Sequence, residues 1–173
     1  MKYIHKYKSN IHGNYFRKSL LYGVVTAIGM SAVLMIRYLL GGVINSPLSY
    51  IDSAVMLVFV SVSVYVYRLQ LKDRTITFKE GWLTGFVTGG VASVLYGMFL
   101  YCYVSYIDTQ MPERCADNLR QVPDYADMTL QQLSEMARPS FIVVQSIIYN
   151  VVVSVLWAFI AALLFRNEKA ETL

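Results

Sequence analysis

The chain has 173 residues, 56% of them apolar and 15% charged, with fifteen basic and eleven acidic residues giving a formal net charge of +4. A mean hydropathy of +0.46, with a charged fraction well below the roughly 25% usual for soluble domains, excludes disorder and makes water an unsuitable solvent. Two cysteines are too few for a disulfide-stapled secreted fold, and the basic residues flank apolar segments instead of forming a nucleic-acid-binding face.

Positions 19–36, 53–67, 81–107 and 139–165 contain no Asp, Glu, Lys or Arg. A helix rises about 1.5 Å per residue, so about 20 apolar residues cross a hydrocarbon core of about 30 Å. Four transmembrane helices are therefore predicted, at about 20–40, 50–67, 82–106 and 141–165, in a single all-α membrane domain covering 20–165.

Ahead of the first span lies a tail, residues 1–19, that mixes lysines with Tyr3, Ile4, Tyr7, Ile11, Tyr15 and Phe16. This composition suits a headgroup boundary, and Gly13 between Asn10 and Asn14 predicts a break in any helix there. His5 and His12 read as surface residues. The apolar run of the first span is too long for the core of a signal peptide, so it is expected to stay as an anchor. Small residues recur in it at Gly23, Ala27 and Ser31, and Arg37 stands three residues before its end.

In the second span, rich in Val and Tyr, the competing reading is a buried strand. A lone strand would leave its backbone groups unpaired in lipid, so a helix is predicted. Asp52 lies two residues inside its start, at a depth similar to that of Arg37 on the preceding helix. Joined by a short uncharged turn at 41–49, the two are expected to form a structural ion pair. The alternatives are that each reaches separately to the interface, or that they line the mouth of a polar cleft.

The third span carries small residues at every fourth position, Gly81, Gly85, Gly89, Ser93 and Gly97. Such a stripe lets helix backbones approach closely. Because a fourfold repeat drifts about 40° per step on a 3.6-residue helix, the stripe is expected to contact two helices of the same chain in preference to forming a homodimer seam. Cys102, near the end of this span, reads as a buried apolar residue; a bridge to Cys115 is the alternative.

The loop at 107–140 is acidic and contains a predicted amphipathic helix over 127–138, with Thr129 and Gln132 at capping-box spacing and Leu133 on its apolar side. The fourth span has its own small-residue row at Ser146, Asn150, Ser154 and Ala158. Asn150 is the most polar group near mid-membrane and is expected to join helices by hydrogen bonding. All four prolines lie outside the predicted spans.

Orientation follows from the basic residues, which favour short cytoplasmic segments. Lys2, Lys6, Lys8, Arg17 and Lys18 precede the first span, Arg68, Lys72, Arg74 and Lys79 follow the second, and Arg166 and Lys169 follow the fourth. The other side has only Arg114, Arg120 and Arg138. Both termini, including the tail 166–173, are thus expected in the cytoplasm, with 107–140 outside. The segment 16–31, moved by 62 positions, matches 78–93 at Phe, Leu, Gly, Val, Thr and Ser, so a duplicated helical hairpin is a further expectation, which unequal packing of the two halves would oppose.

Three short motifs complete the reading: Tyr22-Gly23 early in the first span, Ile76-Thr-Phe-Lys-Glu-Gly81 at the start of the third, and Tyr103-Val-Ser-Tyr-Ile-Asp108 at its end. In them the chain resembles the bacterial four-span membrane proteins catalogued as domain of unknown function 4199, although members often have Asp-Pro where this chain has Asp108-Thr109. The resemblance implies a cytoplasmic (inner) membrane location and carries no catalytic residue. Nucleotide-binding loops, zinc-hydrolase motifs and an intramembrane carboxylate pair are lacking. The expectation is a noncatalytic membrane component with no cofactor or metal and no nucleic-acid partner, associated with the lipid bilayer and with a membrane-protein partner or further copies of itself. The alternative is a small permease or lipid-binding protein acting as an oligomer.

Overall fold

A computed structural model describes residues 2–41, 50–71, 74–125 and 127–167, with side chains from Phe16 onward. The side chains of His5 and His12, the turn at 42–49, and Lys72 and Lys169 fall outside the described residues. Among the described residues there are six α-helices, α1 (Lys2–Leu39), α2 (Tyr50–Gln70), α3 (Phe78–Cys102), α4 (Met111–Arg120), α5 (Leu130–Met136) and α6 (Pro139–Phe165), and no strand. Four segments are long and apolar enough to cross a membrane: Phe16–Leu39, Tyr50–Gln70, Phe78–Ile107 and Pro139–Phe165.

Helix α1 begins at Lys2 and runs without interruption through Gly13, contrary to the predicted break. One glycine inside a helix costs only about 1 kcal/mol relative to alanine, which the many flanking helix positions outweigh. At the start of α3, Thr77 is the N-cap: the Glu80 backbone N–H donates to Thr77 Oγ1 at 3.3 Å, and the Thr77 N–H donates back to Glu80 Oε2 at 3.1 Å. The third segment thus starts four residues before its predicted span. Pro112 and Pro139 stand in the first turns of α4 and α6, where a missing N–H leaves no helical bond unmade.

Helix α3 is the centre of the bundle. It packs against α1, α2 and, most extensively, α6, while α1 and α6 lie across from one another. Outward faces carry Leu21 and Ile28 of α1, Val58 of α2, Met98 of α3, and Val152 and Leu156 of α6, all exposed. In water such a surface would drive aggregation; in hydrocarbon it is matched to its solvent.

The α3–α6 seam is made by the small-residue row. A Cβ placed on Gly85 would lie 2.9 Å from Ala158 Cβ, one on Gly89 would lie 2.3 Å from Ser154 Cβ, and one on Gly97 would lie 2.4 Å from Ile147 Cγ1. Gly81 faces Ala162 of α6 and Val64 of α2, and Gly85 also meets Val60 of α2. The row therefore follows α6 from end to end and shares its first two positions with α2. The expected drift away from a single neighbour is offset because the α6 row, Ser154, Ala158 and Ala162, also steps by four, so two matched rows wind together. Helix α1 makes a second close approach: Gly23 comes within 2.7 Å of Val91 Cβ and 2.9 Å of the Thr88 carbonyl, measured from the position its Cβ would take.

The two hairpins pack unequally. Gly23 and its repeat counterpart Gly85 face different partners, α3 for the first and α6 for the second, and α3–α6 is the larger seam. This counts against a duplicated hairpin.

Gly89→Ala is expected to destabilise the protein by roughly 1–3 kcal/mol through overpacking, with Ser154→Gly restoring most of the loss. Gly90→Ala, whose added methyl meets nothing within 4 Å, should raise stability by up to about 1 kcal/mol through helix propensity. Thermal unfolding of the three variants in detergent checks this ordering.

Candidate functional site

Among the described residues, the buried charged groups Arg37 and Asp108 lie at the end of the bundle that carries α4 and α5, the loop end. There the last turn of α1 brings Arg37 next to the first turn of α2. Arg37 Nη1 donates to Asp52 Oδ2 at 2.8 Å, with side chains only 7% and 17% exposed. Asp52 Oδ1 is buried without a hydrogen-bond partner among the described residues. Buried Tyr96 of α3 lies within electrostatic range of both charges. Removing a charge pair from water is costly, and the pair persists where each charge keeps the other.

A second charged cluster lies at the end of α3, where the helix widens into a π-helical turn at Tyr103–Ile107. The Asp108 N–H donates to the Tyr103 carbonyl at 2.9 Å, and the Tyr103 hydroxyl donates to Asp108 Oδ2 at 2.9 Å. The five-residue step of the π turn sets the tyrosine and the carboxylate of the Tyr103 to Asp108 motif together. Arg114 Nη2 of α4 donates to both oxygens of the Asp108 carboxylate, tying the loop helix to the third span. Tyr38 of α1 packs its ring edge-on against Tyr103, with centroids 5.7 Å apart. Asp108 and Tyr103 are both buried.

The other two motifs have equally local roles. Ile76 is buried, and its carbonyl accepts from the Asn167 N–H at 3.2 Å, closing the terminal end of the bundle; Thr77 and Glu80 cap α3; Gly81 opens the close seam. Tyr22-Gly23 supplies the carbonyl that takes the Thr26 hydroxyl at 2.7 Å and the bare backbone that meets α3.

Interhelical hydrogen bonds come from Thr88, one of the mid-membrane polar residues, and from Ser63, Ser53 and Trp157, which the sequence did not single out. Ser63 Oγ of α2 and Thr88 Oγ1 of α3 are 2.7 Å apart, and the Thr88 hydroxyl also lies within 3.3 Å of the Ser19 carbonyl of α1. Trp157 Nε1 of α6 donates to Ser53 Oγ of α2 at 3.1 Å. Asn150 is buried, but its Nδ2 donates to Ser146 Oγ of its own helix at 3.2 Å, so it does not join helices as expected. An amide and a hydroxyl four residues apart are already neighbours on one helix face. Ser93 likewise turns its hydroxyl to the Gly89 carbonyl, 2.7 Å away.

Both cysteines are free thiols. Cys102 is exposed on the bundle's outer surface, not buried as its residue type predicts, because the faces of α3 turned inward hold glycine, alanine and serine. Cys115 on α4 is half-buried, and this burial raises its thiol pKa against the opposing pull of Arg114. The predicted loop helix is present in shorter form as α5: Thr129 and Gln132 form the capping box and Leu133 is buried, whereas Met128 and Leu130 are exposed. Helix α4 escaped the sequence reading; Pro112 followed by Glu113 was its available signal.

Reversing either charge, Arg37→Asp or Asp52→Arg, is expected to lower the yield of folded protein sharply, since breaking a buried pair costs about 3–5 kcal/mol. The double reversal should recover much of it. Size-exclusion profiles of detergent-extracted protein read the effect, and a double variant no better than the single ones contradicts a structural pair.

A family model described as "Protein of unknown function (DUF4199)" matches residues 21–167. No curated protein and no solved structure gives a significant match. The matched region contains all four candidate spans almost entire, together with both charged clusters and all three motifs, and the chain belongs to this DUF4199 family.

Proposed function

We propose that this multi-pass membrane protein is a noncatalytic component of the cytoplasmic membrane, with both termini in the cytoplasm, that scaffolds or modulates a membrane-protein partner. The observation carrying this reading is the use made of the motif residues. Thr77 and Glu80 cap a helix, Gly23 and Gly81 admit neighbouring backbones, and Tyr103 and Asp108 clamp a helix end with Arg114. Thr77, Glu80, Tyr103 and Asp108 are each engaged by their own chain in a way that fixes shape, which suits a protein whose product is a surface and not a reaction. The basic residues beside the first, second and fourth spans support the orientation.

The second reading, a lipid-binding protein, is favoured by the polar groove described below. A transporter formed by four helices would need several copies to enclose a path.

Affinity capture of the full chain from native membranes, extracted with its surrounding lipid, is expected to recover one membrane protein in constant stoichiometry. Capture of this chain alone, at one copy, contradicts the partner reading.

A further inference from the structure

Beneath α4, on the side of α6, a groove of about 660 Å³ is lined by Leu119 of α4, Val122 shortly after it, Ala137 capping the end of α5, and Gln145, Ser146 and Tyr149 of α6, among others. Two features distinguish it from an ordinary lipid-facing surface. No charged side chain is among the described residues lining it, yet it presents amides and hydroxyls beside its apolar wall. Gln145 and Tyr149 are also exposed, although they lie on a helix otherwise built for hydrocarbon.

The position of these groups along α6 is set by the other end of the helix. Phe165 is followed at once by Arg166, which registers that end at an interface. Counting back about 20 residues, the length that crosses a hydrocarbon core, arrives at Gln145 and Ser146. The remaining first turns of α6, with α4 and α5, then stand at headgroup level. The groove therefore spans the level where a lipid's chains give way to its ester and head groups. An exposed glutamine at that boundary needs hydrogen-bonding partners, and a lipid's esters and hydroxyls are the groups that lie there.

We infer that this groove is a binding site for a neutral glycerolipid, with Gln145, Ser146 and Tyr149 facing its ester and hydroxyl groups and the apolar wall of Leu119, Val122 and Ala137 covering its small uncharged head. Charge selects the class: without a cation in the lining, a phosphate-bearing head would lose water without gaining a counter-ion, whereas an uncharged head exchanges water for amide and hydroxyl contacts. The inference rests on the membrane-spanning reading and is independent of whether the chain has a protein partner.

Cys115 also lines the groove and reports its occupancy. The test uses the full chain in phosphatidylcholine vesicles containing either diacylglycerol or phosphatidylglycerol, each carrying the same photoreactive acyl chain at equal mole fraction. Diacylglycerol is expected to label the segment 111–149 about fivefold more than phosphatidylglycerol, the factor that one hydrogen bond and an avoided charge burial provide. It should also slow alkylation of Cys115 by a water-soluble maleimide while leaving other introduced surface cysteines unaffected. Gln145→Leu with Ser146→Ala, and separately Leu119→Trp to fill the groove, should each reduce labelling to the phosphatidylglycerol level. Equal labelling by the two lipids, with unprotected Cys115, overturns the inference even if the variants fail to fold. Release of the chain from vesicles by alkaline carbonate would instead overturn the membrane reading beneath it.

Discussion

Helix α3 can occupy the centre of the bundle because it presents almost no side chain to α6. Where Gly85 and Gly89 meet Ala158 and Ser154, the two helices are so close that an added methyl group would overlap its neighbour. In a bilayer no hydrophobic effect draws apolar helices together, since lipid is as apolar as they are; dispersion between closely fitted surfaces and a few hydrogen bonds must suffice. A smooth α3 maximises the first, and Ser63 with Thr88 and Trp157 with Ser53 supply the second. The larger side chains of α1, α2 and α6 can then point into lipid.

With the middle of the bundle so tightly fitted, its buried charges among the described residues are held at one end. The Arg37–Asp52 pair joins α1 to α2, and the Tyr103–Asp108–Arg114 cluster joins α3 to α4. The edge-on contact of Tyr38 with Tyr103 links the two. All four long helices enter or leave at this level, and the Asp108–Arg114 contact fixes how α4 sits over them. The groove below α4 inherits its shape from these contacts, so a site that contains no charge depends on charges placed beside it.

Much of this was legible in the sequence, for identifiable reasons. Charge-free runs of spanning length set the four long helices, because lipid enforces complete internal hydrogen bonding on any segment that crosses it. Equal depth placed Arg37 beside Asp52. Fourfold glycine spacing marked the closest seam. The failures are equally physical. Sequence periodicity says where a stripe lies on its own helix and nothing of the matching stripe on a neighbour, so the continuous pairing of α3 with α6 was missed. Asn150 and Ser93 found partners on their own helices, an option that spacing alone does not weigh against a neighbour. Residue type misplaced Cys102, since in a membrane bundle the apolar surface is the outside. Helix α4 is short and polar, with no apolar period to reveal it, and the Tyr103 to Asp108 spacing acquires meaning only once a π turn brings those side chains together.

The three motifs thus build a membrane bundle in this chain: a capped helix start, a bare backbone at two crossings, and a clamped helix end. That account requires the chain to cross the bilayer four times. The most direct test places single cysteines, Ser9→Cys, Gln121→Cys or Asn167→Cys, in a background of Cys102→Ser and Cys115→Ser, and labels intact and permeabilised cells with a membrane-impermeant maleimide. The account predicts that positions 9 and 167 label only after permeabilisation while 121 labels from outside. Labelling of 9 and 167 from opposite faces, or of all three from one face, would contradict it.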